Sequence, residues 1–270
     1  MHLGLIGFGN IARTLLTVLA AERAALSAVT VLTLPEFASQ TRADLAGLTR
    51  APGHVVTDAA GLIALAPDLV VECAGHQAVA EHATTVLRAG IETVIVSIGA
   101  LADEALYAAV VAAALAGNSR FTLPAGAIGG IDILSALRPS GILSVSYTGR
   151  KPPGAWAGTP AEGLLDLKAL TAEAVFFEGT ARQAATLYPK NANVAATLAL
   201  AGLGWEETRV RLIADPGVTR NVHEYSVTSG AADYTMRIEG KPSADNPKTS
   251  VTTVYSVARE VLNRLREVAI

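Results

Sequence analysis

Five histidines are spread along the chain, and His223, in RNVHEYS, opens a strand just after a polar turn. Imidazole titrates near neutrality and can both take and give a proton, which makes His223 the candidate for acid–base work. His2 is terminal, His54 precedes a short strand, and His76 and His82 lie around a helix. A second polar concentration is YPKNANVAATLALAGLG at 188–204, where Lys190, Asn191 and Asn193 crowd a helix start. Asparagine is a strong N-cap residue, which accounts for one of the two amides. Two amides and an ammonium exceed what a cap needs. An amide can bond a carboxamide or a ribose, and Lys190 can meet a carboxylate. Arg150, Lys151 and Lys248 are further cations able to hold carboxylates, although a solvated side chain is the commoner fate of any one of them. The single cysteine, Cys73 in VVECAG, rules out an internal disulfide and a Cys-based zinc cluster, and its strand-end setting favours a small buried residue over a nucleophile. No His/Asp/Glu spacing supports a metal site.

A different chemistry is written in LIGFGNIA at residues 5–12. Gly7 permits a tight bend out of a first strand, Gly9 lets a pyrophosphate approach the backbone, and Ala12 is small enough for the next helix to pack on the strand. Asn10 and Ile11 then open that helix, whose N-terminal amides point at phosphate. The pattern predicts a dinucleotide site. An acidic residue usually follows by some 20 residues to hold the adenosine ribose of NAD. Here the second strand runs into Thr33, Leu34 and Pro35, and Glu36 comes late. No arginine takes that place either: Arg42 is further off and Arg13 lies inside the first helix. NAD or NADP is therefore expected, with no preference read.

These residues need elements to position them. The first half alternates strand and helix. Strands are expected at His2 to Ile6, Ser27 to Leu34, Val55 to Thr57, Asp68 to Glu72, Glu92 to Ser97 and from Arg120. Helices are expected from Asn10 to Ala25, His76 to Ala89 and Asp103 to Ala116. Continuous apolar strands between helices indicate a parallel sheet covered on both faces. In such doubly wound sheets ligands bind beyond the carboxyl ends of the strands. That places Cys73, Ala74 and Gly75 of ECAGHQ, Ser97 and Gly99 of SIGA, and Ala127 of PAGAIGG near a cofactor. After about Pro124 the period changes. Strands at 143–151, 174–179, 209–215, 223–230 and 232–240 suit a mainly antiparallel sheet, interrupted by helices at Thr180 to Leu187 and Asn193 to Ala201. The fold class expected is α/β with a second α+β domain. Its parts are a dinucleotide-binding domain at 1–124, a substrate and dimerisation domain at 125–249, and a C-terminal helix at 250–270 packing back on the first. The loop Pro152 to Pro160, PPGAWAGTP, reads equally as a mobile flap or a rigid surface turn.

Composition bounds the remaining classes. Of 270 residues, 51% are hydrophobic and 17% charged, enough for a sizeable core. The formal charge of -3 and the lack of a basic run argue against nucleic acid as partner. The richest alanine run, Ala105 to Ala116, is too short to span a bilayer. No basic region or cleavage site opens the chain, so a cytoplasmic, soluble protein with no membrane partner is expected.

Taken together, these segments resemble the L-aspartate dehydrogenase family. The resemblance is carried by GFGNIA (7–12), VECAGH (71–76), VSIGAL (96–101), PAGAIGGID (124–132), YTGRKPP (147–153), YPKNANVAATLALAGLG (188–204), LIADP (212–216), NVHE (221–224) and NPKTS (246–250). They span nearly the whole chain in the family's order. The resemblance implies a Rossmann-type first domain and a homodimer. It also implies NAD(P)-dependent oxidative deamination of L-aspartate to oxaloacetate and ammonia by way of iminoaspartate. It assigns His223 as the catalytic histidine, and the glycine turn, Ala127 and Asn193 as cofactor contacts. The missing ribose acid departs from it and puts strict NAD preference in doubt. Physiological direction stays open among aspartate breakdown, aspartate synthesis and iminoaspartate supply for NAD biosynthesis. Two other readings compete: a related two-domain reductase of another amino or keto diacid, and a silent NAD(H)-binding sensor.

Overall fold

The computed structural model describes residues 1–189, 193–241 and 250–269, and divides into two compact units, Met1–Pro124 with Val254–Ile270, and Ala125–Thr253. In the first unit the strands are β1 (His2–Ile6), β2 (Ala28–Leu32), β3 (Gly53–Val56), β4 (Leu69–Glu72), β5 (Glu92–Ile95) and β6 (Phe121–Thr122). All pair in parallel, in the order β3-β2-β1-β4-β5-β6. The order reverses between β1 and β4, and loops leaving neighbouring strands to opposite sides open a crevice there.

Alternation along these strands sorts their side chains to two faces. Leu3, Leu5, Val29, Val31, Leu69 and Val71 meet Leu15, Leu16 and Leu19 of α1 (Asn10–Ala21) and Leu45 of α2 (Ala38–Leu48). Ile6, Leu32 and Val70 on the other face meet Leu62 of α3 (Ala59–Ala64) and Val86 of a second helical run. That run, expected as one helix from His76 to Ala89, begins as α4 (His76–Ala78). It widens into a π-helical stretch at Val79–Ala83 and continues as α5 (Thr84–Arg88). After β5 come a 3-10 turn at Ile98–Ala102 and α6 (Glu104–Ala116), whose first turn is capped by Asp103 accepting from the Leu106 N–H at 3.0 Å. Helix α1 stops at Ala21 rather than Ala25, because Arg23 turns left-handed at φ 55. Helix α2 was not read from the sequence: its polar and small residues give only a faint apolar stripe, with Thr41 and Leu45 the buried positions.

The second unit opens with α7 (Ile131–Leu137), a short helix with Leu134 and Leu137 buried. Its strands are β7 (Ile142–Lys151), β8 (Ala174–Thr180), β9 (Thr208–Ala214), β10 (Val222–Ser229) and β11 (Tyr234–Glu239), in the order β11-β10-β7-β9-β8. Every pairing is antiparallel except β7 with β9. One face buries Val145, Tyr147, Val210, Leu212, Tyr225 and Val227 against α8 (Ala181–Leu187) and α9 (Asn193–Ala201). The other carries Ser144, Ser146, Arg209 and Arg211, all exposed. The loop that read as either flap or turn is an anchored turn. Trp156, at the end of a 3-10 helix from Pro153, is fully buried and donates its indole N–H to the Ile213 carbonyl at 3.0 Å.

Helix α10 (Val251–Leu262) sends Val254, Val257, Val261 and Leu262 into the first unit's core beside Leu3 and Leu15. It ends at Leu262, short of the 250–270 expected. Turns then carry Arg264 onto Glu92 and Thr122, with its Nη2 at 2.5 Å and 2.9 Å from their side-chain oxygens. Among the described residues, no helix is long and apolar enough to cross a membrane.

Candidate active site

The crevice of the first unit is a cavity of about 600 Å³. Its walls are the turn after β1 (Gly7, Phe8, Gly9), the end of β2 (Leu32, Thr33, Leu34) and the loop after β4 (Cys73, Ala74, Gly75). Gly7 has φ +90, and a Cβ there would sit 2.7 Å from the Ala74 Cβ, so both conformation and packing demand glycine. Gly9 and Gly75 face open space, with nothing within 4 Å of where a Cβ would be. Helix α1 begins at Asn10 with no side chain capping it and no acidic residue in its first turn. The N–H groups of its first turn and the positive end of its dipole therefore favour an anion. Leu34 and Phe37, both exposed, supply apolar surface at the rim. The residues present fit a dinucleotide. Gly7, Gly9, Asn10 and Ile11 would hold its pyrophosphate, and the Cys73–Gly75 backbone its neighbouring ribose.

Glu72 fixes two of these loops, a role the sequence did not reveal. At the end of β4 it is fully buried, and its carboxylate accepts the N–H groups of Ala74 (2.9 Å), Gly75 (2.8 Å) and Ser97 (3.0 Å) and the Ser97 hydroxyl (3.0 Å). Burial raises its pKa, against the pull of these bonds. A glutamate ending an otherwise apolar strand was the available signal. Ser97 is thereby engaged as a brace, and Gly99 is buried in the 3-10 turn behind it. The Cys73 thiol points at the carbonyls of Ile6 (3.5 Å) and Gly7 (3.7 Å), and burial pushes its pKa up, so it is no thiolate nucleophile.

In the second unit His223 lies on β10 with 4% of its surface exposed. Register places it opposite Gly149 of β7, on the face shared by Tyr147 and Lys151. Because Gly149 has no side chain, Tyr147 can lean across: a Cβ at Gly149 would lie 2.6 Å from the Tyr147 hydroxyl. That hydroxyl is 2.8 Å from His223 Nδ1, with the rings stacked at 19°. Burial first, and then the charge of Lys151, lower the His223 pKa to about 3. Lys151 is itself buried over the Trp156 ring at 4.8 Å, and desolvation lowers its pKa to about 8. The imidazole is thus neutral at physiological pH, held through Nδ1, with Nε2 as the nitrogen left for chemistry.

Other sequence candidates fare differently. Arg150 points to the opposite sheet face from His223, where it pairs with Glu173 and, at 2.6 Å, with Asp215. Two carboxylates already neutralise it, and it does not share a face with His223. Ala127 packs partly buried against the second unit's core, in a loop closed by the Tyr225 hydroxyl donating to the Gly129 carbonyl at 2.8 Å. Asn193 is the exposed first residue of α9. Lys190, Asn191 and Lys248 lie outside the described residues. Among the described residues no group of three or more His, Cys, Asp or Glu could hold a metal ion.

Residues 132–264 match the family model described as aspartate dehydrogenase, C-terminal, and residues 7–124 that of the homoserine dehydrogenase NAD binding domain. An L-aspartate dehydrogenase of Polaromonas sp. is 46% identical over 270 residues, with the whole of both chains covered. The chain belongs to the L-aspartate dehydrogenase family. Its relative from Pseudomonas aeruginosa, also an L-aspartate dehydrogenase, is 50% identical over 232 residues, 86% of each chain. The solved aspartate dehydrogenase of Thermotoga maritima superposes with a TM-score of 0.76 at 27% identity, covering 100% of this chain and 99% of its own. The NAD-complexed GenD2 of gentamicin A biosynthesis, at 15% identity and a TM-score of 0.54 over 98% of this chain and 86% of its own, shares the fold.

Proposed function

We propose that the protein is an NAD(P)-dependent L-aspartate dehydrogenase, converting L-aspartate and water to oxaloacetate and ammonia through iminoaspartate, reversibly. The observation that carries this reading is the end-to-end match to a curated L-aspartate dehydrogenase, 46% identical over all 270 residues. When bound, the nicotinamide supplies the acceptor for the hydride leaving Cα of aspartate. The chain's own residues do the rest. His223 Nε2 takes a proton as the amine is made neutral and as water adds to the imine, then returns one to the departing ammonia. The imidazole is neutral before it acts, and it can accept a proton at Nε2 when its Nδ1 hydrogen is donated to the Tyr147 oxygen. Tyr147 orients the ring through Nδ1. Lys151, on the same face, is proposed to meet a substrate carboxylate, as are Lys190 and Lys248 from the sequence, with Asn191 as an amide donor. The Ala127 backbone and Asn193 are proposed cofactor contacts.

We infer a cytoplasmic homodimer from the family resemblance, with the exposed face of the second unit's sheet, which carries Ser144, Ser146, Arg209 and Arg211, as the candidate interface. Light scattering should then read twice the chain's mass, and a monomer at working concentration would contradict it.

The activity is tested by reductive amination. Oxaloacetate and ammonium with NADH or NADPH should consume the reduced cofactor, while pyruvate and 2-oxoglutarate should not. Turnover of another keto acid in preference would move the assignment to a related reductase. Cofactor binding with no turnover would leave a sensor.

A further inference from the structure

Arg13 reads in the sequence as a residue inside the first helix, away from the place where a dinucleotide's adenosine ribose is recognised. It does lie in α1, but its side chain reaches the cavity at the end of β2. Side chains on a helix lean toward its N-terminus. Arg13, one turn into α1, therefore reaches back along the glycine turn and lines the cavity with Leu32, Thr33 and Leu34 at the end of β2. Three contacts hold it there. Its Nε donates to the Phe8 carbonyl at 3.2 Å, its guanidinium lies 4.8 Å over the Phe8 ring, and its Nη2 donates to Asp44 of α2 at 2.5 Å. Asp44 is fixed in turn by the Gln40 amide at 2.7 Å, and Gln40 also lines the cavity. These bonds, that from Arg13 first, hold the Asp44 carboxyl below its usual range. Among the described residues, Nη1 of Arg13 makes no hydrogen bond.

In doubly wound folds the 2′ position of the adenosine ribose sits at the end of the second strand, where an acid selects NAD and a nearby arginine accommodates NADP. Here that end is Thr33 and Leu34, with no carboxylate. The cavity's own carboxylate, Glu81, stands on the wall formed after β4, where it accepts from Gln77 at 2.6 Å and faces His82 at 3.7 Å. We propose that Arg13, steered by Asp44 and flanked by Gln40, is the residue of this chain that meets the 2′-phosphate when NADP is bound, and so sets the balance between NADP and NAD. Asp44 has two effects. It presents the guanidinium at the rim, and it neutralises part of the charge, which keeps the subsite from demanding a phosphate and leaves NAD acceptable.

This inference rests on the cavity being the adenosine end of a dinucleotide site, and binding alone tests it. Dissociation constants for NADPH and NADH would be measured by reduced-nicotinamide fluorescence without substrate, with 2′,5′-ADP as a competitor that carries the phosphate and no nicotinamide. In the wild type both dinucleotides bind. Arg13→Met is expected to raise the ratio of the NADPH constant to the NADH constant by about tenfold or more, the loss of a charge-assisted bond, and to weaken 2′,5′-ADP in parallel. Asp44→Asn should move the ratio the other way, by freeing the guanidinium from its competing carboxylate. A ratio unmoved by both variants, or a wild type that binds NADH and not NADPH, overturns the proposal. A wild type that binds neither overturns the dinucleotide reading beneath it.

Discussion

The cavity of the first unit and the histidine cluster of the second are built from different materials. The cavity is made largely of main chain: the bend at Gly7, the open space at Gly9 and Gly75, and the N–H groups that begin α1. The cluster is made of side chains. Tyr147, Lys151 and His223 meet because β7 and β10 pair in one register, with Gly149 leaving room between them. A backbone site recognises what every dinucleotide shares, a pyrophosphate, and depends on a few positions where a side chain is not tolerated. A side-chain site sets protonation states and therefore chemistry, and its members come from distant stretches of chain. Binding and proton transfer should accordingly be separable by mutation.

The sharpest way to break that separation is at Gly7. A valine there must adopt a left-handed φ, which costs about 1–2 kcal/mol, and press on Ala74, which adds about 1–3 kcal/mol. Gly7→Val should lose measurable NADH binding. Both tryptophans, Trp156 and Trp205, belong to the second unit, so their fluorescence should be unchanged if the damage stays in the first. A shifted tryptophan spectrum would mean the two regions are not independent.

A smaller effect is expected at Tyr147. Tyr147→Phe removes the bond to His223 Nδ1 while keeping the ring, so turnover should fall about 3–10-fold, the worth of one hydrogen bond, with NADH binding unchanged. Gly149→Ala should act in the same direction by crowding the hydroxyl. Unchanged turnover in both would show that the imidazole is oriented by packing alone.

The smallest effect concerns charge and pH. Lys151 is protonated up to about 10.5 in the unfolded chain and only up to about 8 when folded. Between those values the unfolded state binds more protons, so wild-type stability rises with pH across that window and carries its full penalty below about 8. Lys151→Met should therefore melt higher than wild type at pH 7, by no more than about 3 kcal/mol of stability. The gap should close by about pH 10.5. A gap that does not change with pH would mean that Lys151 is solvated, and would weaken the explanation of the neutral His223.

The two regions were also legible to different degrees. A strand, Gly7-x-Gly9 and a helix start lie within a few residues, so local pattern suffices to find the cavity, and alternating apolar strands and helices suffice to expect the doubly wound sheet around it. His223 could be singled out by its chemistry and family motif. Its partner Tyr147 could not, because 76 residues separate them and only strand register joins them. The same register decided between neighbours: Arg150 was a carboxylate candidate by sequence, yet one step along β7 turns it to the far face, onto Glu173 and Asp215. Glu72 and Arg13 were hidden for related reasons. Buried hydrogen bonds fix the first, and the backward lean of helical side chains the second, and neither leaves a periodic trace.

The central claim is that His223 performs proton transfer and takes no part in holding the cofactor. The direct measurement is a pair of readings on His223→Ala: NADH affinity by fluorescence, and turnover in the reductive amination of oxaloacetate. The expected result is an affinity within about twofold of wild type and turnover lower by ~10²–10⁴. Turnover near wild type would contradict the assignment and make His223 an ordinary buried strand residue.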